Sequence, residues 1–218
     1  MRLVIFDLDG TLIDSVALIV ETLTAAFQAI GEPAPQESAI RAISGITAAE
    51  AMGILAPNAD TDRLAEILES YRSQYRERAG LAREPLFNGA LDALERLRSQ
   101  PGTILAVATG KAYRSAVTLL TAHGILDRFA SVQTPDHNRG KPDPQMLQTA
   151  MTHSGATPGQ TVMIGDTVHD MKMAKSAGVG AIGVAWGYHE ASALKDAGAA
   201  IVIERFDQLD AAIDQLVD

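Results

Sequence analysis

Short apolar runs rich in valine and isoleucine, each closed by glycine or polar residues, limit what this chain can fold into more than any other feature. They fall at residues 3–6, 104–108, 162–164, 181–184 and 200–203. Runs this short and this continuously apolar read as strands buried on both faces. Between them apolar residues recur at helical spacing: Ala90, Leu91, Leu94 and Leu97; Ala116, Leu119 and Leu120; Met146, Leu147, Ala150 and Met151; Phe206, Leu209, Ile213 and Leu216. Such stripes bury one side of a helix. Strands alternating with helices predict an α/β fold, a parallel sheet with helices on both faces.

One stretch breaks the rhythm. Residues 14–83 show helical periodicity and no strand signal. Helices are expected over residues 15–30, 37–43, 48–54 and 61–78, the last with Leu64, Ile67, Leu68, Tyr71 and Tyr75 along one face. Turn residues divide them at Gly31 to Pro35, at Ser44-Gly45 and at Pro57 to Asp60. Pro85 and Asn88-Gly89 mark the return to alternation. The expected organisation is therefore a core of residues 1–13 and 84–218 with a helical insertion of residues 14–83, joined by linkers near Asp14 and Arg83. Phe27, Tyr71 and Tyr75 are assigned to packing within the insertion.

Composition removes whole classes of function. With 27 acidic against 18 basic residues and a net charge of -9, the chain offers no broad positive surface for a nucleic acid or an anionic membrane. Neither partner is expected. No cysteine is present, which excludes disulfides, a thiolate nucleophile and cysteine-bound zinc, and fits a reducing cytoplasm. The apolar stretch before Asp7 is too short for a secretory leader, and no segment reaches the roughly 18 apolar residues of a membrane span. A cytoplasmic location is expected. The five histidines form no close pair at metal-ligand spacing, so surface or capping roles are assigned to them.

Four segments carry chemistry, three of them directly after an expected strand, where open α/β sheets bind their ligands. Asp7-Leu8-Asp9-Gly10-Thr11 places two carboxylates at a strand end beside a glycine that permits a sharp turn. Thr109-Gly110-Lys111 offers a hydroxyl and amides of the kind that hold an anionic oxygen. Gly140-Lys141-Pro142 supplies a point charge on a loop stiffened by Pro142 and Pro144. Gly165-Asp166-Thr167-Val168-His169-Asp170 adds two more carboxylates. Carboxylates, a lysine and a hydroxyl converging on strand ends suit an oxygen-coordinated cation, Mg²⁺, beside a phosphate site. An aspartate can attack phosphorus to give an acyl phosphate while a second carboxylate protonates the leaving oxygen and then activates water. Asp7 and Asp9 fit that division of labour.

In order and spacing these segments resemble the haloacid dehalogenase superfamily, on its phosphatase branch with an inserted helical cap. The family pattern is DxDGT, a threonine or serine after the second strand, a downstream lysine and GDxxxD, met here by Asp7 to Thr11, Thr109, Lys141 and Gly165 to Asp170. The resemblance spans nearly the whole chain. It implies a Rossmann-like core with a central first strand, Asp7 as nucleophile and Asp9 as general acid and base. It also implies that Thr109, Gly110 and Lys141 hold the phosphoryl group, with Lys141 screening Asp7. Mg²⁺ would be ligated by Asp7, the Asp9 carbonyl and Asp166, with Asp170 supporting from behind. The cap would close over the site and choose the substrate.

Absent residues narrow the branch that the chain resembles. The true dehalogenases lack the second aspartate of the first motif, whereas Asp9 is present. Phosphonate hydrolases use a cap lysine, and none lies between Asp14 and Arg83; hexose phosphate mutases use a cap histidine, and the first histidine is His123. What remains resembles phosphatases of small phosphorylated metabolites, with phosphoglycolate phosphatases and related pyrophosphatases nearest. Trp186-Gly187-Tyr188 resembles a loop of the former. Sugar and nucleotide phosphates stay open as substrates, as does the state of monomer or homodimer. Arg41 and the Ser44 to Thr47 turn could meet the remote end of the substrate; Lys111 could steer anions or sit solvated. A regulatory phospho-acceptor is the alternative of a different class, weakened by the insertion, since a receiver needs no lid that excludes water.

Overall fold

A computed structural model describes residues 1–80 and 84–217. β1 (Arg2–Phe6) leads into α1 (Val16–Ala29), α2 (Glu37–Ala42), α3 (Ala48–Leu55) and α4 (Thr61–Arg78), and the chain returns through α5 (Ala90–Ser99) to β2 (Thr103–Ala108). There follow α6 (Tyr113–Ala122), β3 (Ser131–Gln133), α7 (Gln145–Ser154), β4 (Thr161–Gly165) and α8 (Val168–Ala177). β5 (Gly180–Val184), α9 (Ala191–Ala197), β6 (Ile201–Ile203) and α10 (Leu209–Asp214) complete it. The linker expected near Arg83 lies outside the described residues.

The strands form one six-stranded sheet in the order β3-β2-β1-β4-β5-β6. Every pairing is parallel. β1 is central, and Phe6 is level with Val107 of β2 and Ile164 of β4. The residues that follow these strands therefore emerge along one edge, the position at which parallel α/β sheets bind ligands. Alternation along each strand builds two cores. Val4, Phe6, Val107 and Ile164 pack toward α5, α6 and α10, while Leu3, Ile5, Ala106 and Met163 pack toward α7, α8 and α9.

Helices α1 to α4 and the turn after α2 bury a third cluster of their own: Leu23, Phe27, Ile40, Ile43, Ala51, Met52 and Ile67. Their ends are held by local chemistry. Thr47 caps α3 through a reciprocal box with Glu50, and the Asp60 carboxylate accepts the Arg63 N–H at the start of α4. Arg63 also donates to the Ile30 carbonyl at 2.7 Å and to Glu32 at 2.8 Å, tying α4 to the end of α1. No helix among the described residues is long and apolar enough to cross a membrane.

The structure corrects several local expectations. β3 was not foreseen: three residues at a sheet edge, paired only with β2, are too few to show a hydrophobic pattern. Nor was α9, whose one fully buried side chain, Leu194, makes no stripe. Leu91 is 42% exposed, because the packed face of α5 is Ala90, Ala93, Leu94 and Leu97. The last expected stripe divides, with Phe206 in a 3₁₀ turn and Leu216 beyond the end of α10.

Candidate active site

Asp7 leaves the end of β1 with its N–H donated to the Ile164 carbonyl at 2.9 Å, which fixes it level with the end of β4. One carboxylate oxygen accepts the Leu8 N–H at 2.7 Å; the other lies 2.8 Å from the Lys141 ammonium. Lys141, on the loop between β3 and α7, also lies 2.6 Å from Asp170. The second Asp170 oxygen accepts from the Thr167 amide and hydroxyl at 3.1 and 2.6 Å, capping α8 from inside. Asp166 accepts the Thr11 hydroxyl at 2.8 Å and the Tyr188 N–H at 2.9 Å. Gly10 makes this approach possible: its φ is +82°, and a Cβ there would collide with the Asp166 carboxylate and the Tyr188 ring.

Asp7, Asp166, Asp170 and Lys141 are all buried to within 1%. Burial pushes the Asp7 carboxyl up to about 7, with Lys141 opposing and Asp170 reinforcing the rise. Burial, Asp7 and Asp170 likewise hold Asp166 well above the usual carboxylate range. Burial alone would lower Lys141, but Asp170 and Asp7 together outweigh it and raise it. Two of these three buried carboxylates, Asp7 and Asp170, share the Lys141 ammonium, and Asp166 has no cation among its hydrogen-bond partners. Asp7, Asp166 and Asp170 each present an oxygen within 4.8 Å of the others. An all-oxygen, charge-excess donor set of this kind fits a hard divalent cation.

A cavity of about 910 Å³ opens over this cluster, lined by Asp7, Asp9, Thr109, Gly110 and Lys111 from the sheet edge and by residues of the helical segment. Thr109 is positioned at the end of β2 by donating its N–H to the Gln133 carbonyl at 3.0 Å. A Cβ on Gly110 would stand 2.6 Å from the Gly45 carbonyl oxygen, so only glycine lets the turn after α2 settle on this loop. Ser44 lines the cavity. Arg41 does not: its guanidinium pairs with Glu37 at 2.9 Å on the surface, while its carbonyl lies 3.1 Å from His189 Nε2. Lys111 lines the cavity with a side chain that is 7% exposed and ion-paired. Its ammonium lies 3.1 Å from both Asp9 carboxylate oxygens and 3.4 Å from Glu84.

Other residues take part without having been singled out as site residues. Trp186 donates its indole N–H to the Thr11 carbonyl at 3.0 Å, and the Tyr188 amide holds Asp166, so this loop wraps the carboxylate. Its only sequence signal was the family-like Trp-Gly-Tyr segment. Tyr75, assigned to packing, sets its ring 6.1 Å from that of Tyr71 and also donates its hydroxyl to Glu84.

The family model for haloacid dehalogenase-like hydrolases matches residues 4–184. A protein of Dickeya dadantii described as "Probable phosphatase IndB" is 39% identical over 95% of this chain and 91% of its own length. "Tyrosine-protein kinase PtkA" of Mycobacterium tuberculosis is 34% identical over 92% and 68% of the two chains. "Phosphoglycolate phosphatase" of Pseudomonas putida is 32% identical over 93% and 76%. Among solved structures, a hydrolase from Pseudomonas syringae superposes with a TM-score of 0.87 at 28% identity, covering 100% of both chains. The match runs from the strand that delivers Asp7 to the strand beyond Asp170, and with it the chain belongs to the haloacid dehalogenase-like hydrolase family.

Proposed function

We propose that this family phosphatase hydrolyses a small phosphate monoester by two displacements at phosphorus. In the first, the Asp7 carboxylate forms a bond to phosphorus as the ester P–O bond breaks, and Asp9 gives its proton to the leaving oxygen. In the second, Asp9 takes a proton from water, the water oxygen joins phosphorus, and Asp7 departs as carboxylate with release of phosphate. The Thr109 hydroxyl, the Gly110 amide and Lys141 are the donors assigned to the phosphoryl oxygens. Lys141 also screens Asp7 from the incoming anion.

Mg²⁺ is the proposed cofactor, held by Asp7, the Asp9 carbonyl and Asp166, with Asp170 supporting through Lys141 and Thr167. When bound, it would neutralise charge on the phosphoryl group and on Asp7. The helical segment, residues 14–83, is assigned as a cap that excludes water and shapes the leaving-group side of the cavity. The single observation that carries the reading is Asp7 itself: a fully buried carboxylate at a strand end, 2.8 Å from a buried lysine, on the floor of the cavity that Asp9 also lines.

Phosphoglycolate is the first substrate to try, followed by pyrophosphate, sugar phosphates and nucleoside monophosphates. Phosphate release is measured across this panel with Mg²⁺ and with EDTA, using Asp7→Asn as control. Metal-dependent release that Asp7→Asn abolishes is expected. Full activity in Asp7→Asn would overturn the mechanism. An acyl phosphate that persists for minutes without turnover would favour a phospho-acceptor instead. The kinase named among the relatives prompts one added arm, transfer of label from ATP to a tyrosine peptide, for which no signal is expected.

A further inference from the structure

Lys111 is a buried cation that the two displacements do not use. Its side chain is 7% exposed and Glu84 beside it 3%. Two carboxylates face it, Asp9 with both oxygens at 3.1 Å and Glu84 at 3.4 Å. Its ammonium stands 4.8 Å from the centroid of the Tyr75 ring, and the Tyr75 hydroxyl donates to the same Glu84 oxygen that faces Lys111. The Glu84 carbonyl lies 2.8 Å from His123 Nε2 of the segment after α6, anchoring the far side. The loop after β1, the loop after β2, helix α4 and the connection returning from it thus converge on one ammonium. A cation so enclosed cannot reach out to a substrate anion without breaking all of these contacts.

We propose that Lys111 is a positioning residue for Asp9, held in place by Glu84 and Tyr75, so that the orientation of the proton-transferring carboxyl depends on the seating of α4. Two bonds from one ammonium fix the carboxylate's rotation. When Asp9 carries its proton, one oxygen keeps the Lys111 bond and the other presents O–H toward the leaving group. Tyr75 belongs to α4, whereas Glu84 is anchored to the core by His123, so displacement of α4 takes away the Tyr75 ring that Lys111 faces and the hydroxyl that holds Glu84. This inference rests on the proposed role of Asp9.

Leaving groups make the test. Departure of an alkoxide needs a proton, whereas para-nitrophenolate leaves without one, and kcat/KM reports the step in which the leaving group departs. Wild type, Lys111→Met, Lys111→Arg and Tyr75→Phe are compared on para-nitrophenyl phosphate and on whichever alkyl phosphate the wild type turns over best, with circular dichroism to establish folding. Lys111→Met is expected to lose at least about tenfold more kcat/KM on the alkyl ester than on the aryl ester. Lys111→Arg should recover part of that difference, and Tyr75→Phe should show a smaller loss of the same bias. Should Lys111→Met not fold, Tyr75→Phe, which keeps the ring and removes only the hydroxyl, decides. Equal losses on both esters, or a rise in KM alone, would overturn the positioning role while leaving the phosphatase reading intact. Full activity of Asp7→Asn, or a folded wild type silent on both esters, would overturn that reading and this inference with it.

Discussion

The sheet edge and the helical segment face each other across one cavity and are built by opposite means. On the edge, Asp7, Asp166, Asp170 and Lys141 are fully buried, and each has its rotamer fixed by backbone amides, hydroxyls or an ion partner. Across from them the segment offers Ile19, Leu23, Ile43 and Met52, with Arg72 and Arg76 further along α4. The edge is a set of directed bonds, and the facing wall is largely shape. Directed polar groups lose much of their effect when displaced by an ångström. An apolar wall discriminates by only about 1–3 kcal/mol per methylene. On the proposed reading the reaction chemistry rests on the strands' ends, and the choice of substrate rests mainly on the facing apolar surface.

Substitutions can break that comparison. Asp7→Asn should lower turnover by about four orders of magnitude or more while leaving the fold unchanged. Steady-state kinetics and a thermal melt check both halves. Lys141→Met leaves Asp7 and Asp170 facing each other without their shared cation, at a cost of about 3–5 kcal/mol in urea unfolding. A loss below about 1 kcal/mol would mean that the buried pair contributes little. Ile67→Ala, in the segment's own fully buried cluster, should cost about 2–5 kcal/mol. It should change KM more than kcat; a larger fall in kcat than that of Lys141→Met would erase the distinction between the two regions.

A milder effect sharpens the electrostatic half. Asp7 is pushed up to about 7, so below that pH the metal-free protein holds a proton that a cation must displace. Affinity for Mg²⁺ should therefore weaken as pH falls below about 7, with the raised Asp166 carboxyl adding to the dependence. Titration followed by thermal shift reads this directly, and a pH-independent affinity would contradict it. The smallest effect is expected from Arg41→Ala. Among the described residues its guanidinium pairs with Glu37 alone, on the surface, so stability should move by less than about 0.5 kcal/mol and kcat/KM by less than about twofold.

The same contrast explains what could be read from the chain. Strands buried on both faces leave continuous apolar runs, and residues such as Asp7, Thr109 and Asp166 stand immediately after them, so the edge was legible in one dimension. The four helices of the insertion were legible because Gly31, Ser44-Gly45 and Pro57 interrupt their periodicity. Lys111 was noticed, but its partners were not. Asp9 and Glu84 lie 102 and 27 residues from it in sequence, and no spacing rule links a helix face to three separate connections. Arg41 was a reasonable candidate from its place near the turn. Only the helix geometry, which sets it one turn from Glu37, shows where its charge goes.

The most direct measurement is a rapid acid quench of the Mg²⁺-loaded enzyme during turnover, followed by borohydride reduction, which converts an aspartyl phosphate to homoserine, and peptide mapping by mass spectrometry. Homoserine at position 7, absent without substrate and absent in Asp7→Asn, is the predicted result. Turnover with no modified residue at position 7, or with the modification at Asp9 or Asp166, would contradict the account.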